Sequence, residues 1–432
     1  MKYNKINPNL FKENRARFAA QMKPNSIAII HSNDRMFRNG DAHFPYRQSS
    51  DLFYLTGLDQ EEVILVLYPD CPRGNKFKEL VFTKQTNEHI AVWEGYKYTK
   101  KDAAQTSGIE TIYWLDEMQP LLNELILLAD NIYVNTNEND RAVMDYPSRD
   151  VRHALELQQE YVGHNFERAQ PILKTLRMVK STYEVDLIQK ACDITNSAFR
   201  RVLATTRPGM MEYEVEANVI YEFTRHGSSG HAYTPIIAGG KNACVLHYIA
   251  NNEALKDGDL LLMDFGAEYA NYAADMTRTI PVNGQFTARQ KAVYNAVLKV
   301  KKEAEALLVV GNNLTDYHKE VGKIMESELI GLGLLNKDAV RQQDPNRPLY
   351  KKYFMHGTSH HLGLDVHDLC HRYVDFEPGM VFTCEPGIYI PEENIGIRIE
   401  DDLVVTNGKA LNLMADIPIE VEEIEALMHV KV

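Results

Sequence analysis

The chain has 432 residues, 44% hydrophobic and 25% charged, which calls for two domains of ordinary globular composition. A formal net charge of −13, with no run of five like charges, argues against nucleic acid or an anionic membrane surface as partner. No signal-like apolar N-terminus, 18-residue apolar run or CxxC occurs, and the five cysteines are unevenly spaced, so a cytoplasmic enzyme without disulfides is expected.

Residues 1–165 read as an α/β domain. SIAIIHS (26–32), VILVLYPD (63–70), ELVFTK (79–84), TIYWLD (111–116) and NIYVNT (131–136) have the apolar, β-branched character of strands. FKENRARFAAQM (11–22) and the segment 117–129 have helical patterning. No glycine-rich phosphate loop follows any of these strands, so nucleotide binding is not supported.

Residues 166–432 change style and read as two related α+β halves. Ser181-x-x-Glu184 is a capping-box signal opening a helix with Ile188, Ala191, Cys192, Thr195, Ala198, Phe199 and Val202 on one face. A helix over 211–226 and strands to about 283 complete the first half. The order then repeats, with helices at 287–309 and 314–330 and strands to the end, and a faint likeness between EYEVEANVIYEF and DYHKEVGKIMES supports the repeat.

Two hairpins carry the chemistry. LLLMDFGAEYANYAADMTRTIPV (260–282) reads as two strands turning around Tyr269–Ala270, which sets Asp264 opposite Asp275. MVFTCEPGIYIPEENIGIRIEDDLVVT (380–406), turning around Glu392–Glu393, sets Glu385 opposite Glu400. A solvated sheet edge is the plain alternative for one or both of Asp264 and Asp275. Four carboxylates on two apolar hairpins are frustrated unless cations hold them, and two divalent ions would offset their charge. One imidazole from HGTSHHLGLDVHD, which carries His356, His360, His361 and His367, would complete the set. Gly357 stands where a zinc-protease helix needs Glu, so that reading is weak. An oxygen-rich set with one nitrogen suits Mn, Co or Fe(II), and two such ions suit hydrolysis of an amide or ester.

These motifs, with EPGMVFTCEPGIYI and GIRIEDDLVVT, resemble the creatinase/prolidase metallopeptidases of pita-bread fold across most of 165–432. The segment RNGDAHFPYRQSSDLFYLTGL (38–58) is similar to the opening domain of the aminopeptidases P. The resemblance implies two divalent ions per chain, most simply Mn with Co, Fe or Zn as alternatives, held by Asp264, Asp275, His360, Glu385 and Glu400. It further implies a metal-bridging hydroxide that cleaves the bond between a first residue and a following proline, with Glu385 shuttling the proton.

By the same resemblance His247 and His367 contact substrate and stabilise the tetrahedral intermediate, while His356, Tyr389 and Arg398 line the proline pocket, Arg398 with the alternative of supporting the carboxylates. Asp41 and Trp93 match positions that reach an active site, in some members a neighbouring subunit's, which implies a dimer or tetramer; a core Trp is the alternative. His31, His43, His231 and His361 have no expected role, and Glu268, Asp401 and Asp402 are expected to be solvated or to support ligands. A dipeptidase confined to Xaa-Pro dipeptides, or a non-catalytic binding protein that kept the fold, are the competing readings. The connection from Tyr389 to Gly396 is short for an aminopeptidase P, which bears on peptide length rather than on chemistry.

Overall fold

The computed structural model describes residues 2–141 and 144–429. It divides into two compact units, one spanning residues 3–177 and the other 178–432.

The first unit is built on a six-stranded mixed sheet, in the order Ile112–Trp114, Glu79–Thr83, Val63–Leu67, Ser26–His31, Asn131–Val134, Asn165–Arg168. All five strands expected from the sequence are present, and the helices Asn9–Ala19 and Met118–Leu127 stand where the patterning put them. The central strand Ser26–His31 is buried throughout, as its unbroken apolar run requires of a strand covered on both faces. Ile27, Ile29, Val66, Leu80, Phe82 and Leu125 form the heart of this core. The sixth strand, NFER, is a polar, partly exposed edge that pairs in parallel with Asn131–Val134. It ties residues 165–168 to this sheet, so the units divide after Arg177 rather than at 165.

In the second unit each half begins with a helix closed by a capping box. Ser181 and Glu184 open Thr182–Thr205, and Thr287 and Gln290 open Ala288–Glu305. All seven face residues anticipated for the first of these helices are buried. Glu212–Arg225 follows in the first half and Leu314–Gly331 in the second. Each half then supplies a small antiparallel sheet. One orders Ile236–Gly239, Leu260–Asp264, Thr277–Pro281; the other orders Val381–Cys384, Asp401–Val404, Leu411–Asn412.

The second hairpin has the expected register. Gly387 pairs with Arg398 on one side and Cys384 with Asp401 on the other, which leaves Glu385 and Glu400 facing each other where the two ladders meet. The first hairpin is shifted by two residues. Its turn is Ala270–Asn271, both at positive φ (51° and 65°), so Tyr269 pairs with Tyr272 and Asp264 pairs with Thr277. This is the two-residue loop that suits strand twist, but an alanine at its first position disguises it. A shift of two keeps every side chain on its face, so Asp275 becomes a diagonal neighbour of Asp264 on the same face.

The hairpin is pinched beside Asp275. A Cβ on Gly266 would lie 1.7 Å from the Ala274 carbonyl oxygen, main-chain atoms that no side-chain rotation can clear. Gly266→Ala is therefore expected to destabilise the protein by about 3 kcal/mol or more, at the upper end of overpacking costs. Urea unfolding checks this, and an unchanged midpoint contradicts it.

Candidate metal centre

Asp264 ends its strand, Asp275 follows the pinch on the return strand, and Glu385 and Glu400 sit at the junction of the two ladders of the second hairpin. His360 comes from a segment without regular structure, in keeping with the glycines around it. That segment is pinned to the neighbouring strand: the Thr383 N–H donates to the His360 carbonyl (3.0 Å), and the His360 N–H donates to Thr383 Oγ1 (3.2 Å).

These five residues line a single cavity of about 250 Å³, together with His247, His356, His367, Arg398 and Tyr233 and an apolar wall of Ile236, Leu246, Ile249 and Val366. One ligand atom each from Asp275, His360 and Glu400 lie within 4.8 Å of one another, and all three residues are buried. The His360 Nδ1 lies 3.0 Å from the His361 carbonyl, which can only accept, so Nδ1 carries the proton. Nε2 is left as the free donor atom, 3.4 Å from Asp275 Oδ2 and 3.7 Å from Glu385 Oε1.

The carboxylates crowd one another. Burial raises Asp264 above the usual carboxylate range; Arg398 opposes this and Asp275 adds to it. Glu385 is pushed up to about 7 by burial, against the pull of His360 and with a further push from Asp275. Burial, then Asp275, Glu385 and Asp264, hold Glu400 well above its ordinary value. Burial disfavours a charged His360, yet the Asp275 hydrogen bond and Glu385 outweigh it and raise the ring. Four crowded carboxylates beside one imidazole, with Asp264, Glu385 and Glu400 disposed against ionising, are a donor set suited to hard or borderline divalent cations. The residues fit such ions.

Three groups support the ligands, and two of them, Tyr233 and Thr277, had no local signal in the sequence. The Tyr233 hydroxyl lies 2.5 Å from Asp264 Oδ1 and 2.6 Å from Asp275 Oδ1, tying the two acids together. The Thr277 hydroxyl donates to Glu400 Oε2 (2.6 Å), and its oxygen accepts from Arg398 Nε (3.0 Å). The true register, which sets Thr277 opposite Asp264, is the one clue that could have found it. Asp402 accepts the Asp275 N–H at 3.0 Å.

Several expected positions need correcting. Tyr389 does not line the cavity; it is fully buried behind His356 and Arg398. Arg398 donates to the Tyr389 hydroxyl (2.8 Å), Tyr389 lies 2.9 Å from His356 Nε2, and His356 Nδ1 lies 2.7 Å from the Gly357 carbonyl. Since that carbonyl can only accept, His356 Nε2 is the acceptor and the chain of bonds runs one way. Burial and Arg398 lower His356 to about 3, so the ring stays neutral. Of the two alternatives expected for Asp401 and Asp402, the structure excludes solvation, and Asp402 takes the supporting one by accepting the Asp275 N–H. His361 is a packing residue, its ring 4.2 Å from that of Phe382.

His247 and His367 stand exposed at the cavity, the His367 ring edge-on to His360 at 4.4 Å. Asp41 and Trp93 belong to the first unit and are not among the residues lining the cavity. Asp41 lies in an exposed turn and Trp93 is 82% exposed, which rules out a core role for Trp93.

The model of "Metallopeptidase family M24" matches residues 186–407, and that of "Aminopeptidase P, N-terminal domain" matches residues 11–133. The chain belongs to the M24 metallopeptidases. Within M24 it is similar to the Xaa-Pro aminopeptidases of Haemophilus influenzae and Escherichia coli, each 36% identical over 97% of this chain and 97% of the relative. The structure of a putative aminopeptidase P from Bacillus anthracis superposes with a TM-score of 0.90 at 32% identity, covering 98% of both chains. E. coli aminopeptidase P with the inhibitor Pro-Leu gives 0.87 at 34% identity, covering 98% of this chain and 99% of the other. This M24 protein is thus a metallo-aminopeptidase of pita-bread fold with an aminopeptidase P-type first domain.

The pH dependence follows from Glu385. Its carboxyl is raised from its usual 4.5 to about 7, so the metal-free folded protein keeps a proton that the unfolded chain has lost. Stability from this group is present below about pH 4.5 and fades as pH rises towards about 7. Metal binding needs the deprotonated ligand, so the gain in melting temperature from added Mn is expected to be larger at about pH 8 than at about pH 5.5. Thermal unfolding with Mn or with chelator at both pH values checks this; equal gains contradict it.

Proposed function

We propose that the protein is a Xaa-Pro aminopeptidase using two divalent ions, Mn as the first choice, held by Asp264, Asp275, His360, Glu385 and Glu400. The observation that carries this is the convergence of all five on one cavity that also has an apolar wall. When bound, the ions supply a water made nucleophilic at neutral pH and polarise the scissile carbonyl.

The chain's own residues do the rest. Glu385 takes a proton on its carboxylate and returns it to the departing proline nitrogen. That nitrogen belongs to a tertiary amide, which carries no N–H, so substrate must be held by shape and by its carbonyls. Ile236, Leu246, Ile249 and Val366 offer the ring an apolar wall, and His247 and His367 stand at the cavity to donate to the developing oxyanion. Neutral His356, oriented by Tyr389 and Arg398, borders the same space without adding charge.

Cytoplasmic residence is supported by five free thiols. Among the described residues no helix is long and apolar enough to cross a membrane. A homo-oligomer is supported by the apolar side chains the first unit exposes, Trp93 at 82% and Phe37 at 69%.

Arg-Pro-Pro is expected to release free arginine, with activity lost on chelation and restored by Mn; equal turnover by the chelated protein overturns the reading. Ala-Pro-Ala is expected to be cleaved in preference to Ala-Pro, whereas cleavage of Ala-Pro alone would make it a dipeptidase. Glu385→Gln at saturating Mn is expected to lower kcat by about 100-fold or more. Retained kcat would remove Glu385 from its role.

A further inference from the structure

The Asp275 peptide is held from an unexpected side. The ladder bonds around it run from the Phe265 N–H to the Met276 carbonyl and from the Ala274 N–H to the Ala267 carbonyl. Alternation along the strand therefore turns the Asp275 N–H away from its own hairpin. It donates instead to Asp402 Oδ2 at 3.0 Å, a side chain from the other half of the unit, two residues beyond Glu400.

Asp402 is wholly buried, and its Oδ2 also accepts the Cys192 thiol at 3.4 Å from helix Thr182–Thr205. Its Oδ1 has no hydrogen-bond partner. The adjacent Asp401 is matched by Arg278 and Lys301, but among the described residues no cation pairs with Asp402. A peptide carbonyl or an amide could satisfy one N–H at far lower desolvation cost than a buried carboxylate without a counter-ion. What this side chain adds is an oxygen delivered from the other half of the unit to the main chain of a residue whose side chain must keep its aim.

We infer that Asp402 is a positioning residue for the metal centre. It grips the Asp275 main-chain N–H and so fixes the direction of the Asp275 carboxylate, while the Cys192 thiol orients Asp402 itself. The inference rests on the reading of Asp275 as a metal ligand. It explains why residues from both halves meet here: the second half supplies Glu400 as a ligand and Asp402 as the brace for the first half's ligand. The reciprocal contact, Glu400 N–H to the Thr277 carbonyl at 3.0 Å, ties the ligands together from the other direction.

The test is the Mn dissociation constant of the full chain, measured by equilibrium dialysis, with the melting temperature of the metal-free form recorded alongside. Asp402→Ala is expected to weaken Mn binding by about tenfold or more, the usual effect of losing a group that orients a ligand. Asp402→Asn keeps an oxygen for the Asp275 N–H and is expected to stay within about threefold of the parent protein. Parent-like affinity in Asp402→Ala, whatever its melting temperature, overturns the inference, as does an Asn variant as weak as the Ala variant. Should Asp402→Ala not fold, Cys192→Ala decides. Binding weakened by about threefold supports the brace, and unchanged binding overturns it. A parent protein that binds no Mn would instead overturn the reading of Asp275 as a ligand.

Discussion

Mutual repulsion among four crowded carboxylates, Asp275 and Glu400 buried and Asp264 and Glu385 partly so, is the constraint around which the catalytic unit is organised. No single element could carry them, because neighbouring acids on one strand point to opposite faces and acids facing each other across a ladder repel. The chain places two on each of two hairpins, one hairpin per half, and lets the halves meet at the charges. Helices opened by capping boxes back both halves, and a few polar groups temper the repulsion. Tyr233 spans Asp264 and Asp275, Arg398 grips Asp264 Oδ2 at 2.6 Å, and Thr277 caps Glu400. Against these contacts burial still leaves Asp264 and Glu400 with a preference for the protonated state, which a divalent ion would reverse.

Much of this was legible from the residues. The face of helix Thr182–Thr205 followed from its period, and the Glu385–Glu400 juxtaposition followed from a turn centred on Glu392–Glu393. The first hairpin was legible only as to face. Its Ala270–Asn271 turn lacks the glycine that marks such loops, so the register came out two residues off, an error the period of the strand forgives. The polar edge strand Asn165–Arg168 has no apolar alternation to announce it, and its pairing with Asn131–Val134 is set by tertiary context. Tyr233 was invisible for another reason, its contact spanning 31 residues of sequence, and Asp402, expected only to be solvated or to support a ligand, reaches a partner 127 residues away.

The histidine-rich stretch changes meaning once folded. The ring of His360 presents its Nε2 to the carboxylates, because the His361 carbonyl occupies its other nitrogen. His361 packs on Phe382, His367 stands exposed at the cavity, and His356 is committed to Tyr389. Tyr389 sits one layer further back than the family resemblance implies, so its effect on substrate passes through the neutral ring it orients.

The central claim is that the carboxylate cluster exists to hold two divalent ions. Anomalous diffraction at the manganese edge, from crystals grown with Mn, tests it most directly. The account predicts two peaks within the cavity, each in contact with oxygens from both hairpins and one of them with His360 Nε2. No peak there, or peaks confined to surface carboxylates, would contradict it.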